Sequence, residues 1–238
     1  LEKAIKDHKP RALYLNPTLH NPTTITIPTD RRLAISQIIN KHGLPLIEDD
    51  AYGFIPAKAP APLAVSSPDL TWHIGGLAKC IGAGLRLAYT VTPSAKHTLA
   101  LGQSLRAITV MPSPISMALA TCWIEDGTAD HIRRFIRSET GIRQKMAAKA
   151  LDGLDFKAAE NAFNIWLRLP EGSGRADVIA SMAGRHIGII PSDTFTVNGK
   201  ADEYVRLCLG GTINRDRLQS SLHYMAHLLM PGSFLTGR

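Results

Sequence analysis

Leu44-Pro45-Leu46-Ile47-Glu48-Asp49-Asp50-Ala51-Tyr52 is the stretch that decides the fold. Leu44 to Ile47 is a short apolar run, read as a buried strand, and it gives way at once to three acidic residues and a tyrosine. Upstream, Thr29 reads as a helix N-cap, Leu33, Ile35, Ile38 and Ile39 keep to one side of the helix, and Gly43 terminates it. Before that helix, Ala12 to Leu15 reads as a strand running into the loop Asn16-Pro17-Thr18-Leu19-His20-Asn21-Pro22-Thr23. Further strands are expected near Trp72 to Gly75 and from Leu85 to Val91. Strand, helix and strand joined by short links predict parallel pairing and a right-handed crossover, the signature of an α/β fold.

After about Pro112 the pattern changes. Helical stretches at Ser113–Glu125 and Thr128–Leu151 lead to Phe163–Leu169, which alternates like a half-buried strand. A helix over Arg175–Arg185, short strands at Ile187–Ile190 and Tyr204–Leu209, and a helix over Arg215–Leu229 follow, with a loose tail expected after Pro231. Residues 1–112 thus read as part of a large α/β domain, and residues 113–238 as connecting helices and a smaller α+β lobe.

Composition excludes several classes. The 238 residues are 45% hydrophobic and 20% charged, which suits a packed core and argues against disorder. No run of about 18 apolar residues is present, and Leu1 to Pro10 lacks the apolar segment of a secretory signal. Cys80, Cys122 and Cys208 match neither a zinc spacing nor a disulfide framework. They read as buried free thiols in a cytoplasmic protein. The net charge of +7 is dispersed, and its densest group, Arg133, Arg134, Arg137 and Arg143, reads as a solvated helix face.

In an open α/β sheet, ligands bind beyond the carboxyl ends of the strands. Three clusters fall at such ends: Asn21-Pro22-Thr23, Glu48 to Tyr52, and Gly75-Gly76-Leu77-Ala78-Lys79 with Gly82, Gly84 and Arg86 behind it. Each alone is weak, because an Asn-Pro is usually a turn and a lone lysine usually lies on the surface. Together they have a chemical logic. A lysine among glycines can bring its amine to a carbonyl cofactor. An aspartate against a pyridine nitrogen keeps it protonated, so the ring withdraws electrons. A tyrosine and an asparagine can donate to a phenolate oxygen, and an arginine past a glycine-rich turn can grip a phosphate.

These motifs resemble the successive cofactor motifs of the class I/II aminotransferases, and most of all the aminotransferase-like domain of MocR-type regulators in the GntR family. In that pattern the asparagine follows a strand, the aspartate stands three before the tyrosine, and the lysine seven or eight before the arginine. Here the pairs are 49 with 52 and 79 with 86. Trp123 to Ala129, Asn164 to Pro170 and Val205 to Gly210 are also similar to segments of this group. The resemblance implies a partial pyridoxal 5′-phosphate (PLP)-dependent transferase fold. It implies Lys79 as the residue carrying the cofactor as a Schiff base and moving a proton, Asp49 at the pyridinium nitrogen, and Tyr52 and Asn21 at the O3′ oxygen. Arg86 would then hold the phosphate and Arg206 an α-carboxylate. The Asn21–Pro22 peptide is expected to be cis.

The sequence departs from the family in two respects. Gly76, Leu77 and Ala78 offer no hydroxyl before the lysine, which forgoes a phosphate hydrogen bond of about 1–3 kcal/mol. The chain also begins near the middle of the family's large domain, so a fragment is expected. A DNA-binding winged helix-turn-helix would lie upstream in a MocR-type protein. Weak PLP binding or none, and no transaminase turnover, are expected of this chain alone. Three readings stay open: an amino-acid or amine sensor in a dimeric regulator, part of a true aminotransferase acting on amino acids and 2-oxo acids, and a domain that binds no cofactor.

Overall fold

The computed structural model describes residues 1–230, so the tail expected after Pro231 lies outside the described residues. Contacts divide the chain into two compact units, residues 1–19 with 26–136, and residues 20–25 with 137–238.

The first unit holds helix α1 (Glu2–His8), strand β1 (Leu13–Leu15), α2 (Thr29–His42), β2 (Leu46–Asp50), α3 (Leu63–Ser66), β3 (Thr71–Gly76), β4 (Ala88–Val91), α4 (Ala95–Thr109), α5 (Pro114–Glu125) and the start of α6 (Thr128–Ala150). Its sheet has the order β1-β2-β3-β4; the first two pairings are parallel, as expected, and β3–β4 is antiparallel. Parallel neighbours need a long crossover. Between β3 and β4 there is only the 3-10 turn Ala83–Leu85, so the chain must reverse.

Three local expectations are corrected. Pro28, not Thr29, is the N-cap of α2, and no side chain caps that end; Gly43 does close the helix, at φ 58°. The buried face of α2 is Arg32, Ser36 and Ile39, while Leu33 is 48% exposed. Arg32 displaces the apolar stripe because its guanidinium has carbonyls to satisfy it: Ile27 (2.8 Å), Ala61 (3.1 Å) and Pro17 (3.1 Å). Strand β2 runs on through Glu48 and Asp50, both buried on one face, instead of ending at Ile47. Helix α4 was not anticipated. Ser94 caps it by accepting from the His97 amide, yet it buries no residue, so its apolar stripe marks no core.

The second unit contains the rest of α6, β5 (Phe156–Lys157), β6 (Asn164–Arg168), α7 (Arg175–Ser181), β7 (Gly188–Pro191), β8 (Tyr204–Cys208) and α8 (Arg215–Leu229). Its sheet, β5-β6-β8-β7, is antiparallel throughout. Strand alternation puts Ile165, Leu167, Val205 and Leu207 on one face, where they pack with Leu151, Leu218, Leu222 and Met225 into a continuous core. The opposite face carries Asn164, Trp166, Arg206 and Cys208. The unit has an α+β make-up, although it begins at 137 and takes in 20–25 where a lobe from 113 was expected, and α7 ends short of Arg185.

Two side-chain expectations change as well. Arg143 is buried, not solvated, because it donates to the Leu209 and Ile213 carbonyls at 2.7 and 2.8 Å. Of the free cysteines only Cys80 is buried; Cys122 is exposed on α5 and Cys208 is half-buried. No helix among the described residues is long and apolar enough to cross a membrane.

Candidate cofactor site

Parallel pairing sets the carboxyl ends of β1, β2 and β3 side by side, and the antiparallel β4 brings its amino end to the same edge, with Gly76 opposite Ala88. Four of the expected residues therefore share one edge of the first unit's sheet. Asp49 lies near the end of β2 opposite Ile74, Tyr52 in the turn after β2, Lys79 in the turn after β3, and Arg86 just before β4. The Lys79 turn is tightened by amide bonds from Cys80, Ile81 and Gly82 to the Leu77 carbonyl, and Lys79 itself is exposed. Arg86 has φ 53°, a left-handed conformation that non-glycine residues adopt sparingly. A Cβ at Gly76 would lie 3.3 Å from the Ala51 Cα, a tight contact, and one at Gly75 would lie 2.1 Å from Tyr89 Cζ, which excludes it unless the ring moves.

The strand period sends the adjacent acids to opposite faces. Asp49 accepts a 2.6 Å hydrogen bond from the Tyr14 hydroxyl at Oδ2, and its main-chain carbonyl accepts from Asn16 Nδ2 at 2.7 Å. Asp50 turns to the packed face, where burial pushes its carboxyl above the usual range and Oδ1 has no hydrogen-bond partner among the described residues. On that face Glu48 is fully buried. It accepts from the Leu63 and Ala64 amides at 2.7 and 3.1 Å and pairs with His73 Nδ1 at 3.0 Å.

The remaining two expected residues meet in the second unit. Arg206 on β8 donates from Nη1 to Asn21 Oδ1 at 2.6 Å. Its guanidinium lies 5.3 Å from the Phe195 ring centroid, and its buried Nε has no partner among the described residues. The Asn21–Pro22 peptide is cis. Asn164, 5% exposed, donates to the Pro22 carbonyl at 2.8 Å. Sequence reading missed Tyr14, Asn16 and Asn164. Tyr14 and Asn16 had a faint signal: Tyr14 in β1 and Asn16 just past its end stand two apart and so fall on the same side of the chain.

A family model, aminotransferase class I and II, matches residues 1–222. The chain belongs to the aminotransferase class I and II family. Among relatives of this aminotransferase-like domain is the HTH-type transcriptional regulator YdeF of Bacillus subtilis (strain 168), 27% identical over 96% of this chain and 50% of its own length. Another is the 2-aminoadipate transaminase of Thermus thermophilus, 24% identical over 96% of this chain and 60% of its own. In fold the chain is similar to LysN, an α-aminoadipate aminotransferase from Thermus thermophilus solved with N-(5′-phosphopyridoxyl)-L-leucine. The TM-score is 0.86 at 22% identity, over 96% of this chain and 61% of LysN. The chain thus spans about half to three-fifths of the length of these relatives.

Proposed function

We propose that this chain is the PLP-binding, aminotransferase-like part of a GntR/MocR-type transcriptional regulator that senses an amino acid or amine. The observation that carries the cofactor reading is the shared sheet edge of Asp49, Lys79 and Arg86. This donor set fits PLP: an amine for its carbonyl, a carboxylate for its ring nitrogen and a guanidinium for its phosphate. Bound PLP would supply a ring that withdraws electrons from a ligand's Cα. Lys79 would anchor the group and move the proton at that carbon. Asp49 would accept the ring N–H, Tyr52 and Asn21 would donate to O3′, and Arg86 would hold the phosphate. Arg206 would bind the ligand's α-carboxylate as a fork. With no hydroxyl at positions 76–78, binding by this chain is weak.

The regulator reading is supported by HTH-type regulators among the relatives, YdeF and also YdcR of Escherichia coli (strain K12), 25% identical over 87% of this chain. DNA would be bound only through an upstream domain, and the protein would act as a cytoplasmic homodimer. The second reading, part of a true aminotransferase, is supported by the 2-aminoadipate transaminase match. The reading frame upstream separates the two, since a helix-turn-helix segment there favours the regulator. For the cofactor, PLP in excess is expected to give an absorbance band of the lysine-bound form that Lys79→Ala removes. A wild-type chain with no such band, or a variant that keeps it, overturns the assignment. Amino-group transfer to a 2-oxo acid by the isolated chain would contradict the sensor reading.

A further inference from the structure

Resting on that reading of Asp49, we infer that Tyr14 is a positioning residue which fixes the Asp49 carboxylate, with Asn16 fixing the peptide behind it. The register makes this possible. Tyr14 pairs with Ile47 across the parallel β1–β2 ladder, so Asp49, two residues on, is its diagonal neighbour on the same face. A phenol is long enough to span that diagonal, and Oη lies 2.6 Å from Asp49 Oδ2. Leu15 points the other way, and the next residue on Tyr14's side, Asn16, donates to the Asp49 carbonyl at 2.7 Å. The side-chain rotation and the peptide orientation of Asp49 are thus each held by a donor from the neighbouring strand. Oδ1 is left to accept from a ligand.

The bland alternative is a surface hydrogen bond of little consequence, because Tyr14 is 59% exposed. Two features argue against it. The contact is short and charge-assisted, the strong class of hydrogen bond. Partial burial, the Asp49 hydrogen bond and the Asp49 charge together push the phenol up to about 12, so it stays a donor across the working range.

Two measurements test this. In the first, without cofactor, 13C-tyrosine-labelled chain is followed by NMR, with the Tyr14 signal assigned by its loss in Tyr14→Phe. Tyr14 is expected to remain protonated at pH 11 in the wild type, and to titrate at lower pH in Asp49→Asn, where burial still raises it but the carboxylate's hydrogen bond and charge are gone. A Tyr14 that titrates normally in the wild type, or is unmoved by Asp49→Asn, overturns the inference. In the second, PLP is titrated by absorbance into wild type and Tyr14→Phe. The variant is expected to bind about tenfold more weakly and to shift the band, with an unchanged far-ultraviolet circular dichroism spectrum. Equal affinity and an equal spectrum overturn the positioning role. If the wild type binds no PLP, the cofactor reading fails, while the tyrosine titration still decides whether Tyr14 holds Asp49.

Discussion

Asn164 shows how much of a turn can rest on one buried side chain. It is almost fully buried; its Nδ2 donates to the Pro22 carbonyl at 2.8 Å, and its own carbonyl accepts from Gln144 Nε2 at 3.1 Å. Arg206 grips the neighbouring Asn21 at 2.6 Å, so two bonds from β6 and β8 hold the Asn21–Pro22 turn within the second unit. Asn164→Asp keeps the shape but replaces the donor with an acceptor and buries a charge. The expected cost is about 1–3 kcal/mol, read as a lower urea midpoint, together with faster amide exchange at His20 and Thr24, whose amides close the turn. An unchanged midpoint and unchanged exchange at those two amides would show that the turn holds itself. Asn21 drew notice in the sequence by its place in the loop after a strand, and Arg206 by its resemblance to a family segment. Asn164 did not, although its stretch stood out: its partner is a main-chain carbonyl 142 positions away, and backbone leaves no mark in a residue alphabet.

At the scale of elements, the acidic end of β2 carries a structural charge, Glu48, beside the Asp49 proposed for the cofactor. Glu48 does for α3 what no side chain at its N-cap does, accepting from the Leu63 and Ala64 amides. Burial alone would raise its pKa, but the bonds from His73, Leu63 and Ala64 outweigh burial and hold the carboxyl below its usual range. His73 is raised by its bond to Glu48, against the pull of burial. A raised histidine contributes stability that is complete below its unfolded value, about 6.5, and is lost as pH climbs through the folded value. A lowered carboxyl contributes stability that is complete above about 4.3 and lost as pH falls. The pair therefore stabilises most between roughly pH 4.3 and 6.5. His73→Gln is expected to flatten the alkaline limb of a urea-midpoint-versus-pH profile, and profiles that run parallel would exclude the pair as its source. The sequence offered Glu48 only as one of three acids. Which acid faces the core is a matter of strand parity, and parity became fixed only when β2 proved to extend through Asp50. The same gap explains α2, where hydrophobicity marks one stripe while Arg32 holds the buried position through carbonyls of the segment before the helix and of the loop after β2.

Across the whole molecule, burial is distributed unevenly, and local stability should follow it. The second unit has a continuous core in which Ile165, Leu167, Val205, Leu207, Leu218 and Leu222 are fully buried. In the first, α4 buries nothing, and Leu99 and Ile108 are 71% and 78% exposed, as is Ile115 on α5 at 81%. Exposed apolar residues in such numbers mark a surface that other protein covers, in keeping with the proposed homodimer. A helix of about this length is marginal in water without tertiary packing. In hydrogen exchange on dilute protein, the β6 and β8 amides are expected to be the slowest in the chain and those of α4 among the fastest. Raising the protein concentration should then slow α4 while leaving β6 and β8 unchanged, because association covers α4 without touching the core of the second unit. An α4 as protected as β8 at high dilution would mean that the helix is held within a single chain, and its apolar stripe would then need an explanation other than a second copy.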